Sequence, residues 1–331
     1  MKQRTVGRSG LTVSHLGLGT WRWGRETDAD EAAAILIAFH DAGGTLVDTA
    51  VGYADGASEE ILGGLVADVV PREELVIAGK AGHRFLSREG GLSGEGGEAR
   101  VDGSRGQLLR DLDVSLRRLG VDYLDLWQVH VPDPSVPTEE TLSALDAAVA
   151  SGKVRYVGVS NYAGWRMAQA ATVQAGKSGY APIVSNQVRY SLLDRSAERE
   201  IVPAGAELGI GVLPYSPLGG GALTGKYRSG IPSDSRAALG GRHLADLDDP
   251  GTIGVIEAVA TAAEGLATSP IAIALAWVRD RPGVTAPILG ARTLGQLTAA
   301  LVSETLDLPA EIRSALDDVS APAVRTTGNV L

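Results

Sequence analysis

Cysteine is missing from all 331 residues, which excludes disulfides, thiolate catalysis and cysteine-ligated metals. No Lys/Arg-rich stripe interrupts the chain, and 40 acidic residues against 30 basic ones leave a formal charge of −10. Nucleic acid is therefore not the expected partner, although a small anion can still sit among a few clustered basic residues. The opening stretch Met1-Lys2-Gln3-Arg4-Thr5-Val6 has no apolar signal core, and no apolar run approaches membrane-spanning length. A cytoplasmic location without membrane contact is the expectation. Internal repeats are absent too.

What is present is alternation. Hydrophobic residues make up 44% and charged residues 21%, a composition able to bury a full core. Short apolar runs predict strands at 16–19, 45–48, 75–80, 124–130, 154–160, 183–187, 211–215 and 286–290. Between them, helical spacing predicts helices over 30–41, 107–118, 138–150, 164–174, 197–208, 253–263, 270–279 and 294–301. Thr138 reads as a helix cap. Residues 2–13 read as a hairpin around Arg8-Ser9-Gly10, placed to close the bottom of a barrel. Eight strands alternating with about eight helices give an α/β (β/α)8 TIM barrel, one domain over residues 1–331. A doubly wound sheet is the main competitor, but Gly17-Leu18-Gly19-Thr20 stops short of the G-x-G-x-x-G fingerprint. Two long glycine-rich connections, 81–103 and 218–250, would lie on the C-terminal face and act as lids.

Four polar residues stand at or just past strand ends: Asp48, Tyr53, Lys80 and His130. In a parallel barrel these ends converge on one mouth, where catalytic groups gather. A carboxylate, a phenol, an ammonium and an imidazole in one cleft form a set able to deliver a proton.

The ordered motifs carry a resemblance. They are Gly17-Leu18-Gly19-Thr20-Trp21, Val47-Asp48-Thr49-Ala50-Val51-Gly52-Tyr53, Gly79-Lys80 and Tyr123-Leu124-Asp125-Leu126-Trp127-Gln128-Val129-His130. They continue through Gly158-Val159-Ser160-Asn161, Asn186-Gln187, Tyr215-Ser216-Pro217-Leu218 and Gly225-Lys226-Tyr227. Over essentially its whole length the chain resembles the aldo-keto reductases, and residues 217–236 are also similar to voltage-gated potassium channel β subunits of the same superfamily. The resemblance implies NADPH-dependent reduction of an aldehyde, ketone or oxidised sugar, with no resident metal. It implies Tyr53 as general acid and His130 as hydrogen-bond donor to the carbonyl oxygen. It also implies Lys80 lowering the phenol's pKa and Asp48 keeping Lys80 charged.

For the cofactor, the resemblance implies Thr20 and Trp21 beside Asp48, and Ser160, Asn161 and Gln187 reading the carboxamide. Tyr215 would stack on the nicotinamide. Ser216, Pro217, Leu218, Gly220, Lys226 and Arg236 would face the pyrophosphate. Gly290, Arg292 and Gln296 would hold the adenosine 2′-phosphate at a helix start, and no acidic residue falls within 288–296. Trp21 and Trp23, with Tyr53 and His130, would wall the substrate; His83, Phe85, His243 and Arg325 are further candidates. Ala299-Ala300 stands where the family often has Glu-Asn, which removes adenine and ribose contacts. Two other functions compete. One is a nucleotide-sensing auxiliary protein like the channel β subunits, disfavoured by the compact N-terminus. The other is a barrel lyase or isomerase using Lys80 as a Schiff-base amine, which leaves the nicotinamide motifs unexplained. A monomer is the commoner family outcome.

Overall fold

The computed structural model describes residues 1–85, 99–177, 179–233, 235, 238 and 246–322. In chain order the elements are β1 (Gln3–Thr5), β2 (Thr12–Ser14), β3 (Gly17–Gly19), α1 (Ala29–Asp41), β4 (Leu46–Asp48), α2 (Ala57–Asp68), β5 (Val76–Ala81), β6 (His83–Phe85) and β7 (Ala99–Val101). Then come α3 (Arg105–Leu119), β8 (Leu124–Val129), α4 (Thr138–Ala150), β9 (Val154–Ser160), α5 (Gly164–Ala175), β10 (Ile183–Arg189), α6 (Ile201–Leu208) and β11 (Gly211–Tyr215). The chain ends with α7 (Pro250–Gly265), α8 (Pro270–Arg279), β12 (Ile288–Leu289), α9 (Leu294–Leu301) and α10 (Ala310–Val319).

Strands β3, β4, β5, β8, β9, β10, β11 and β12 close in that order into an all-parallel barrel. Helices cover its outside, so the strands are buried on both faces over most of their length, Arg155 on β9 being an exposed exception. Local chemistry sets several helix starts. Ser104, Asp249 and Ser269 accept hydrogen bonds from Gln107 N, Thr252 N and Ala272 N, and Pro250 and Pro270 open their helices. Side chains such as Ile35, Leu112, Leu145 and Leu275 fill the layer between barrel and helices, all at most 1% exposed. Truncating any one to alanine would cost about 2–5 kcal/mol.

The predicted N-terminal hairpin is present, with Arg4 opposite Val13 in an antiparallel pair. Val6, Leu11 and Val13 pack with Leu46, Ala78, Leu126 and Leu213 and plug the lower end of the barrel. Gly7 is left-handed, and a Cβ there would lie 2.2 Å from the Gly209 carbonyl. Only glycine lets the plug press this close.

The structure adds two helices to those predicted, α2 and α10. In α2, Gly63 and Gly64 depress the helical signal, yet a Cβ on Gly63 would meet the Arg118 carbonyl at 2.5 Å. Close approach of α2 to α3 demands that glycine. Within the 81–103 connection, β6 and β7 pair antiparallel, with His83 opposite Val101. Residues 86–98 and 239–245 of the two expected lids lie outside the described residues. Helix α6 starts only at Ile201, after a separate 3-10 turn at Ser196–Glu198. Thr138 does not cap α4: the N-cap position is Pro137, with no side-chain bond.

Candidate active site

The register of the barrel brings the strand-end groups together. Asp48 closes β4 and Lys80 lies near the end of β5, its neighbour. Lys80 Nζ donates to both Asp48 oxygens at 2.7 Å and to the Thr49 carbonyl at 2.9 Å. Gln187 reaches across from β10 and donates to Asp48 Oδ1 at 2.7 Å. Lys80 and Asp48 are 1% and 3% exposed, so this pair is desolvated and fixed on three sides. Burial pulls the Lys80 ammonium below the usual lysine range, and the Asp48 carboxylate opposes that pull.

Tyr53 sits above this pair, with Lys80 Nζ 5.0 Å from its ring centre. Its turn is strained: Ala54 and Asp55 are non-glycine residues at φ 48° and 54°. Arg118, on α3, holds the turn by donating to the carbonyls of Val51 (3.0 Å) and Asp55 (3.2 Å) and to buried Glu59 (3.2 Å). Sequence reading missed Arg118, because its partners are 59 to 67 residues away. Burial, then the Asp48 charge, then Tyr215 push the Tyr53 phenol well above its usual range. The lowering expected from Lys80 alone is thus outweighed, and the phenol is a firmly protonated donor.

His130 follows β8 and meets Tyr53 edge-on at 5.8 Å between ring centres. His83 packs against its other side at 4.9 Å. Burial, the nearby Lys80 charge and His83 hold His130 well below the ordinary histidine range. A neutral imidazole beside a protonated phenol suits an uncharged oxygen that becomes anionic.

Tyr53, His130, His83, Asp48 and Trp21 line one end of a single cavity of about 720 Å³, within the size range of small-molecule sites. Ser160, Asn161, Gln187 and Tyr215 form the adjoining wall. Asn161, left-handed at φ 59°, donates to the His130 carbonyl at 3.0 Å and accepts from the Tyr215 hydroxyl at 3.0 Å. Ser160 donates to the Gln187 carbonyl at 2.9 Å. The cavity continues past Ser216, Pro217, Leu218, Gly220 and Lys226 to Gly290, Arg292, Gln296 and Ala300. Ser216, Gly219, Gly220 and Gly221 all have positive φ, a backbone form that makes concave anion nests.

Some expected residues stand elsewhere. Trp23 is fully buried in the core and does not line the cavity, so it is packing at the barrel rim. Thr20 lies behind the lining, its hydroxyl 2.7 Å from that of Ser58. Lys80 does not line the cavity: its ammonium lies beneath the floor, bonded to Asp48 and the Thr49 carbonyl. Arg236, His243 and Arg325 lie outside the described residues, as does the side chain of Phe85. The α9 start is not an open row of amides: Arg292 N donates to Gln296 Oε1 at 2.9 Å and Gln296 N to Thr293 Oγ1 at 3.3 Å. Leu294 N donates to Glu31 Oε1 at 2.5 Å. Arg22, paired with Glu26 at 2.5 Å, also lines the cavity, and neither was anticipated.

Comparison with known proteins agrees with this architecture. Residues 15–321 match the model of the aldo/keto reductase family. The chain is 35% identical to an uncharacterised oxidoreductase of Bacillus subtilis, over 96% of each sequence. It is 34% identical to an L-glyceraldehyde 3-phosphate reductase of Escherichia coli, over 90% of this chain and 86% of that one. It is also 35% identical to a probable voltage-gated potassium channel β subunit of rice, Oryza sativa, over 90% and 89% respectively.

Proposed function

The chain belongs to the aldo/keto reductase family, and from that premise we propose an NADPH-dependent oxidoreductase that reduces an aldehyde, ketone or oxidised sugar to its alcohol. The observation that carries this reading is the Tyr53 phenol, kept protonated by burial, sharing a cavity with neutral His130 above the Asp48–Lys80 pair. The residues present fit a dinucleotide. One end of the cavity has amides and an aromatic face, the middle has left-handed glycines with Lys226, and the far end has Arg292 and Gln296.

When bound, the cofactor supplies hydride to the carbonyl carbon. The oxygen then needs a proton, which Tyr53 donates as general acid. His130 donates a hydrogen bond to the same oxygen and fixes its position. Asn161 and Gln187, each tied into the site by the bonds described, would orient the nicotinamide carboxamide, with Tyr215 against the ring. The left-handed segment and Lys226 would hold the pyrophosphate, and Arg292 the 2′-phosphate. The same reading takes residues 1–331 as one reductase domain, working as a monomer in the cytoplasm.

Purified protein, NADPH and a panel of aldehydes, ketones and oxidised sugars test it through the nicotinamide absorbance band. Tyr53→Phe should lower turnover by at least about 100-fold, the scale of general acid catalysis. NADPH affinity should stay unchanged. Near-normal kcat in this variant would remove Tyr53 from its role. The rice relative supports a second reading, a nucleotide-sensing auxiliary subunit. NADPH binding without turnover on any carbonyl of the panel would favour it.

A further inference from the structure

Just behind the far end of the cavity, a carboxylate from another helix holds the start of α9. Glu31, on the first turn of α1, accepts the Leu294 amide at 2.5 Å, where α9 begins. The two helices meet because Thr27, just before α1, donates to the Arg292 carbonyl at 3.0 Å. Glu26, one residue earlier, lines the cavity itself. Glu26 is held by Arg22, which lines the cavity beside it, so the carboxylate left facing the start of α9, next to Arg292 and Gln296, is Glu31.

A helix N-terminus favours one anion through its amides and partial positive charge. Here an internal anion already takes the first of those amides. Thr293 takes that of Gln296, and the Gln296 side chain takes that of Arg292. A dianionic phosphate arriving beside Arg292 would have to displace Glu31 or bind next to its charge. A bare ribose 2′-hydroxyl meets no such repulsion and can donate to a carboxylate.

We propose that Glu31 is a cofactor-selectivity residue, a built-in competitor of the 2′-phosphate that narrows the preference for NADPH over NADH. The proposal rests on the dinucleotide reading above. Its test titrates the intact protein, by calorimetry, with NADPH, NADH, adenosine 2′,5′-bisphosphate and AMP. The variants are Glu31→Ala, which frees the Leu294 amide, and Glu31→Gln, which keeps an acceptor for it but removes the charge. Both should bind NADPH and the bisphosphate roughly two- to tenfold more tightly, the scale of one charge at a helix terminus. NADH and AMP should be unchanged, and added salt should shrink the gain. Equal changes for all four ligands, or no gain for the phosphorylated pair, would overturn the role of Glu31 while leaving the dinucleotide reading intact. Wild-type protein that binds neither NADPH nor NADH would overturn both.

Discussion

Replacing Asp48 by asparagine isolates the charge under the active site. The wild-type ammonium of Lys80 is 1% exposed and has three acceptors, two of them the Asp48 oxygens. Asparagine leaves one oxygen, which Gln187 also claims, and turns an amide donor toward the cation. Breaking one side of a buried ion pair costs about 3–5 kcal/mol, because the remaining charge stays desolvated. Lys80 would also shed its proton more readily, since burial pulls it down and Asp48 is the main opposing influence. Asp48→Asn should thus be as damaging to turnover as loss of Lys80. The sign with pH follows: a lysine whose folded pKa lies below its unfolded one favours folding as it deprotonates. The stability gap to wild type should therefore narrow as pH rises toward the unfolded lysine value of about 10.4. Urea unfolding measures this, with Asp48→Asn/Lys80→Met as the internal control. Removing the stranded ammonium should make the double variant more stable than Asp48→Asn alone. A single-variant loss below about 1 kcal/mol, or a double variant no better than the single, would refute the argument.

Arg292→Ala should weaken NADPH by about 1–3 kcal/mol, the scale of a charge-assisted hydrogen bond, with little effect on NADH; equal losses in a fluorescence titration of both would contradict the assignment. Alkaline stability should report the buried phenols. Burial raises Tyr53 and Tyr190 and pushes Tyr162 up to about 12, so their stabilising share is complete below about pH 10 and is lost above it as the unfolded chain ionises. Lys80 acts in the opposite sense up to about pH 10.5, so the fall is read above that point, and Tyr53→Phe should flatten it. Burial lowers His130 and His83, whose contribution is present above about pH 6.5 and lost below it. A urea midpoint that is level on both sides of neutrality would count against these burials.

The electrostatics of the floor account for the protonated state of the Tyr53 phenol. Asp48 and Lys80 are bound so closely that their fields largely cancel at a distance. What remains at the phenol is desolvation, reinforced by the carboxylate side of the pair. The imidazole sees the other side, the Lys80 charge, and is pushed toward neutrality. One salt bridge therefore biases its two neighbours in useful directions: the phenol keeps its proton and the imidazole stays uncharged.

How much of this could be read from the chain depends on how far apart the partners lie. Strand-end residues were legible, because a parallel barrel sends every carboxyl end to one mouth and Asp48, Lys80 and His130 each terminate an apolar run. Cavity walls at Ser160, Asn161, Gln187 and Tyr215 followed from the same rule. Trp23 was misleading for the converse reason: one position past a wall residue, an indole can turn inward to the core as easily as outward. Helix α2 was hidden by Gly63, which exists for packing against α3 and not for local propensity. Arg118 and Glu31 carry no local signal at all. Each acts on a segment more than 50 residues away, through backbone groups that any sequence would present. The sequence between 288 and 296 contains no acid and so reads as a phosphate site. In the fold, Glu31 of α1 accepts the Leu294 amide at the start of α9, a contact that residues 288–296 alone do not reveal.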